Sequence, residues 1–245
     1  MPSNSEKTNA KNLEYIHIAN ATVETVPNFN PTNQLIIKTA LADFETGFAA
    51  RMQTVNEKCA DEENAVAAQT AAFKLVKGKA TQILSAAKAQ GLSAETIEYL
   101  KAGVRRIRGI RVSDKTPDNP ATPEDESKAN HSAANVSIAG ILDTLDLMDE
   151  RLKNESGYKP NEEEFTSASI TAWVQSLRDS RNARLDAQAA TVNARQDRDA
   201  YGYGKTAGLI TRMNMLKAYL ETILPKSDSR YKKIKGLKFV DTTNK

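Results

Sequence analysis

Two stretches of the chain concentrate cations in one arrangement. Arg105-Arg106-Ile107-Arg108-Gly109-Ile110-Arg111-Val112 returns about half a chain later as Lys232-Lys233-Ile234-Lys235-Gly236-Leu237-Lys238-Phe239-Val240. In both, two basic residues precede an aliphatic residue, a basic residue, glycine, an aliphatic residue and a further basic residue. The chemistry such clusters offer is attraction of phosphate or carboxylate. Arg105, Arg106, Arg108, Arg111, Lys232, Lys233, Lys235 and Lys238 are therefore the candidate partner-docking residues. The same pattern also suits the end of a helix, where cations complement the macrodipole, glycine takes a left-handed cap and the next aliphatic residue folds back.

Other reactive residue types are not placed to cooperate. His17 and His131 are isolated, and Cys59 falls on an apolar stripe where a thiol behaves as a small hydrophobe. Asp61-Glu62-Glu63 and Glu162-Glu163-Glu164 are runs, which diverge around a helix and read as solvated faces. Di-metal sites in bundles take a Glu-x-x-His pair from each of two helices, and the sequence does not hold two such pairs. Tyr201-Gly202-Tyr203-Gly204-Lys205-Thr206 ends like a phosphate-binding loop, but it follows the polar run Gln196-Asp197-Arg198-Asp199-Ala200 instead of a buried strand. It reads as a bend or kink whose tyrosines pack or stand ready for contact. No catalytic, cofactor or metal site is expected, and the chain reads as a non-enzyme.

The elements that carry the basic segments follow from composition and periodicity. With 40% hydrophobic and 27% charged residues, 11 glycines and 8 prolines in 245 residues, the chain is globular and helix-prone. A net charge of +3 is too mild to diagnose a nucleic-acid or membrane protein by itself. One cysteine excludes a disulfide framework, and the polar N-terminus and the absence of long apolar runs point to a cytoplasmic protein, leaderless export aside.

Residues 1–30 read as an N-terminal arm, polar and disordered over 1–14 and extended over Tyr15 to Val26. Residues 31–112 form a first helical repeat. Ile37, Leu41, Phe44, Phe48, Met52, Val55 and Cys59 step by three or four, as do Val76, Ala80, Ile83 and Ala87 up to a stop at Gly91. The segment Asn56 to Asn64 fits either a turn or a continuous rod. Ser93 caps a shorter helix that ends in the first basic segment. Residues 113–132, with Pro117, Pro120 and Pro123, are a linker, and 133–153 a connecting helix with an acidic face.

Residues 157–241 form a second helical repeat. Asn30-Pro31 corresponds to Lys159-Pro160, Phe44 and Phe48 to Trp173 and Leu177, and Asn64-Ala65 to Asn193-Ala194, without a gap. Leu209, Met213, Leu216, Leu220 and Ile223 stripe its second helix, and a third starts at Ser227 or Asp228. The expected fold is all-α: an elongated bundle of two related helical hairpins with a short extended N-terminal arm. This general plan resembles that of bacterial helical proteins, which implies no particular activity. The expected function is a structural or adaptor protein acting through protein contacts or self-association, with nucleic-acid binding through the basic segments as the alternative and a membrane-active bundle as a weaker third.

Overall fold

In a computed structural model, described over residues 4–110 and 137–243, the chain is all-helical, with no strand among those residues. Its helices are α1 Asn4–Glu24, α2 Lys38–Lys74, α3 Val76–Ala89, α4 Ala94–Arg108, α5 Ile138–Lys153, α6 Ser167–Tyr203, α7 Leu209–Ile223 and α8 Ser229–Gly236. A 3-10 turn, Glu163–Phe165, precedes α6. Arg111, Val112, the linker 113–132 with His131, and positions 133–136 of the connecting helix lie outside the described residues.

The extended N-terminal arm is corrected: that region is helix α1. Its inward stripe runs Asn9, Asn12, Ile16, Ala19 and Val23, spaced by three and four, all buried. Two asparagines stand where apolar residues would announce the period, so only the alternation around Ile16 and Ile18 shows in the sequence. Asn56 to Asn64 lies inside α2, and α3 follows α2 through Leu75 alone, which keeps helical dihedrals (φ −86°, ψ −13°). Of the two readings open for Asn56 to Asn64, a turn or a continuous rod, the segment is continuous helix. The hairpin is instead α3 with α4, closed by Gly91 at φ 67° and by Ser93, whose side chain accepts from the Thr96 N–H.

The helices form two compact units, Met1–Glu63 with Ala187–Lys245, and Asn64–Asp186. The first holds α1, the front of α2, the rear of α6, α7 and α8. Its core joins Ile16, Phe44 and Phe48 to Met213, Leu216 and Leu220. The second holds the rear of α2, α3, α4, α5 and the front of α6, and its core joins Ile83, Leu100 and Ile107 to Leu145, Met148 and Leu177. In the first unit α8 packs on α1 and α7; in the second α4 packs on α5 and α3.

The bounds carry a regularity. Lys38 to Ser167 and Lys74 to Tyr203, the starts and ends of α2 and α6, are each 129 positions apart, so both helices have 37 residues. Glu24 and Lys153, where α1 and α5 end, are separated by the same interval. At that interval Ile16, Ala19, Val23, Leu41 and Phe48 meet Leu145, Met148, Leu152, Ile170 and Leu177, and all ten are buried.

Candidate functional site

The first basic segment is the last turn of α4. Leu100, Val104 and Ile107 face inward, which turns Arg106 and Arg108 to solvent and leaves Arg105 half-buried. Gly109 caps the helix at φ 71°, its N–H reaching the Arg105 and Arg106 carbonyls, and the Ile110 N–H donates to the Arg105 carbonyl at 3.0 Å. This is the expected left-handed glycine cap. Ile110 does not fold back onto the helix, however, and is 51% exposed. Arg111 lies outside the described residues.

The second segment ends differently. Asp228 caps α8 by accepting from the Arg230 N–H, and the Arg230 side chain beside it holds the Asp228 carboxyl down at about 2. Tyr231 and Ile234 are buried, while Lys232, Lys233 and Lys235 are exposed. Gly236 stays within the helix and takes no left-handed conformation; the cap falls on Leu237, which is extended (φ −69°, ψ 123°) and buried. The left-handed glycine ending expected of both segments thus holds only for Gly109.

From Leu237 the chain runs as an extended strap against α1 and α7. The Asn12 amide grips it on both sides, with Nδ2 donating to the Val240 carbonyl at 2.7 Å and Oδ1 accepting from the Val240 N–H at 3.2 Å. Lys217 Nζ donates to the Leu237 carbonyl at 2.7 Å, and burial lowers the Lys217 pKa. Phe239 meets Tyr15 edge-on at 5.9 Å, and Thr242 donates to Asn9 Oδ1 at 3.2 Å. Lys238 remains exposed, as does Val240 at 45%.

This path places cations from distant parts of the sequence together. A cleft of about 440 Å³ on one side of the strap is lined by Lys7, Lys11, Tyr15 and Lys238. A second, of about 240 Å³, is lined by Lys217, Lys235, Lys238 and Phe239. The lysine ion pairs among the described residues belong to Lys38, Lys58, Lys101, Lys153 and Lys226, not to these. Lys7, Lys11 and Lys217 carried no sequence signal, because nothing local relates them to residues 235–240.

Comparison with protein-family models, with curated proteins and with solved structures gives no match, so no activity is carried over from a relative. The chemistry rests on the residues alone. Lys11, Lys217 and Lys235 sit over the rings of Tyr15, Phe239 and Tyr231 at 5.5, 5.6 and 5.3 Å, each a cation–π contact within the chain.

Other residues singled out in the sequence have partners within the chain. His17 is exposed and bonded to Glu45 at 2.8 Å. Cys59 is half-buried and accepts from Arg195 at 3.4 Å. On the acidic face of α5, Asp146 pairs with Arg178 and buried Asp149 accepts from Thr171 and Lys153. No group of three or more His, Cys, Asp or Glu among the described residues is arranged to hold a metal ion, and no helix there is long and apolar enough to cross a membrane. Tyr201 stacks on Phe44 at 5.2 Å, while Tyr203 is buried, donates to Asn9 and accepts from Asn12, with burial raising its pKa.

The sequence reading missed Arg198, which sits in the polar run before those tyrosines. It is 1% exposed and bridges Glu6 of α1 at 2.6 Å and Asp199 at 2.8 Å. Burial alone would lower its pKa, but these hydrogen bonds outweigh that and raise it.

Proposed function

We propose that this chain is a non-enzymatic structural or adaptor protein of the cytoplasm, a duplicated helical bundle that acts through protein–protein contacts as a component of a larger assembly. The observation that carries the reading is the pairing of exposed aliphatic residues with exposed cations at both basic segments: Ile110 beside Arg106 and Arg108, and Val240 beside Lys238. An apolar anchor rimmed by charge suits a protein interface. Duplication is supported by the shared 129-residue interval of α2 with α6 and of buried positions in α1 and α5. The test is native mass measurement and co-purification from the host. A larger species or a stoichiometric partner is expected, weakened when Arg105, Arg106, Lys232 and Lys233 become alanine; a partnerless monomer at high concentration would defeat the reading.

The lysine-lined clefts flanking the strap favour nucleic-acid binding as a second reading. It predicts affinity for DNA or RNA at low salt, with the salt slope reduced by about one for each phosphate-contacting lysine replaced. Affinity that survives Lys7→Ala, Lys11→Ala and Lys238→Ala together would end it.

A further inference from the structure

Five lysines gather at the strap of the first unit. Lys7 and Lys11 come from α1, Lys217 from α7, Lys235 from α8 and Lys238 from the strap itself. Lys238 lines both clefts, the larger together with Lys7 and Lys11 and the smaller together with Lys217 and Lys235. Neither cleft has an aspartate, glutamate or arginine among its described lining residues.

Little nearby offsets this charge. Lys7 and Lys11 lie one turn apart on α1, where like charges repel. Two carboxylates close to them in sequence or in the strap are turned to other groups: Glu6 to Arg195 and Arg198, and Asp241 to the Thr243 N–H and hydroxyl. Lys217 is half-buried where the other four lysines are exposed. Its ammonium donates to the Leu237 carbonyl and lies over the Phe239 ring, both of them neutral, and burial lowers its pKa. An anion beside it would favour the charge that burial disfavours.

The cations are also held in place. Asn12 grips the Val240 N–H and carbonyl, and Phe239 meets Tyr15 edge-on, so Lys238 projects from a fixed main chain. A ligand arriving there has less order to impose.

Such a concave, wholly cationic surface fits a ligand whose negative charges are closely packed. Lysine serves phosphate as a point charge, without the planar fork by which arginine orients a carboxylate. A terminal phosphate carries about −1.5 to −2 at neutral pH, more than the single charge of a carboxylate.

We propose that the larger cleft binds a short oligophosphate through Lys7, Lys11 and Lys238, with the cations of the smaller cleft adding to its field. The chemistry is that shared by inorganic tripolyphosphate and the triphosphate of a nucleotide. The site goes beyond both readings above, because it requires neither an assembly nor a nucleic-acid chain.

Calorimetry of the full chain with sodium tripolyphosphate at fixed ionic strength should show saturable binding at one site. Equal affinity for ATP would assign recognition to the phosphates alone, and tighter binding of ATP would add its nucleoside; both support the site and tell the two sources apart. Sulfate at the same ionic strength should leave the melting temperature unchanged, and a shift equal to that from tripolyphosphate would reduce the effect to screening and overturn the proposal. Lys7→Gln, Lys11→Gln and Lys238→Gln should each weaken binding about tenfold. The double variant Lys232→Gln/Lys233→Gln removes exposed cations that line neither cleft and should stay within about twofold of the parent. A loss there as large as in Lys7→Gln/Lys11→Gln would mean that only net charge is read, and would also overturn it.

A second measurement avoids substitution. Tripolyphosphate should protect Lys7, Lys11 and Lys238 of the unaltered chain from acetylation by an N-hydroxysuccinimide ester while Lys232 and Lys233 stay reactive; uniform protection, or none, would overturn the proposal. An oligonucleotide that protects the three lysines while tripolyphosphate neither protects nor competes would overturn it too, and would leave the nucleic-acid reading standing.

Discussion

The two compact units are built from the same kinds of helical piece but filled by different chemistry. The second is closed by aliphatic residues such as Leu100, Ile107, Leu145 and Ile170, and its buried acid, Asp149, finds Thr171 and Lys153 locally. The first combines the stacked aromatics Phe44, Phe48 and Tyr201, with Tyr203 edge-on to Phe48, and buried polar partners that reach across the sequence: Asn9 and Asn12 to Tyr203 and the strap, and Arg198 to Glu6. An aliphatic interior tolerates exchange of shape for similar shape, whereas a buried polar network requires each member to keep its partners. The first unit should accordingly be the less forgiving of single substitutions.

The sharpest break in that comparison is at two positions 129 apart, Gln69 in the second unit and Arg198 in the first, both buried. Arg198→Met removes the cation shared by Glu6 and Asp199, and should cost about 3–5 kcal/mol in urea unfolding. Gln69→Leu should be close to neutral, because Gln69 Nε2 is buried without a hydrogen-bond partner and gains nothing from its polarity. Equal losses at the two sites would mean that the polar filling of the first unit is not what distinguishes it.

Next in size is Asn12, whose counterpart at the same interval is Ile141. Asn12→Ile deprives the Val240 N–H and C=O and the Tyr203 hydroxyl of their partner. The expected cost is about 1–3 kcal/mol. Amide exchange should accelerate over residues 237–242, since the amide clamp is what holds the strap at Val240. Unchanged protection there would show that Lys217 and Phe239 suffice, and would detach the basic cleft from α1.

These two sites also explain what the sequence disclosed and what it withheld. Stripes such as Leu209, Met213, Leu216 and Leu220, and caps such as Ser93 and Asp228, are local signals, and they located α2 to α8. Helix α1 was hidden because Asn9 and Asn12 occupy its inward stripe, and their partners Tyr203, Val240 and Thr242 lie about two hundred residues on. Arg198 reads as solvated beside Gln196 and Asp197 until Glu6 is brought to it. The cationic residues of the candidate surface were legible, but Lys7, Lys11 and Lys217 join them only through the strap's path. Gly109 and Gly236 share their neighbours' pattern yet end their helices differently, because Leu237 is drawn inward while Ile110 stays out.

That last contrast gives opposite signs for one substitution. Gly109→Ala forces a side chain into the left-handed region and should cost about 1 kcal/mol, whereas Gly236 lies in a helix with open space where a Cβ would stand. Gly236→Ala should therefore stabilise by about 0.5–1 kcal/mol. Two losses would mean that α8 ends at Gly236 by the same left-handed cap as α4.

The smallest expected effect appears only in strong alkali. Tyr158 of the second unit is buried, donates to the Phe165 carbonyl at 2.7 Å, and has its phenol pKa pushed up to about 12 by burial, with the Glu162 carboxylate adding to it. Its counterpart in the first unit, 129 positions earlier, is Phe29, which packs edge-on against Tyr219 at 5.3 Å and has nothing to ionise. Because the folded pKa is raised above the ordinary 10.0, the stability from keeping this phenol neutral is complete below pH 10 and is lost as pH rises through about 12. Tyr158→Phe, which installs the residue of the first unit, should therefore make unfolding less sensitive to pH between 10 and 12, at the loss of one hydrogen bond at neutral pH. Circular dichroism with tyrosinate absorbance across that interval reads both. If the variant retains the full alkaline sensitivity of the parent, the ionisation that opens the protein belongs to the first unit, where Tyr203 is likewise raised by burial and is tied into the Asn9 and Asn12 network.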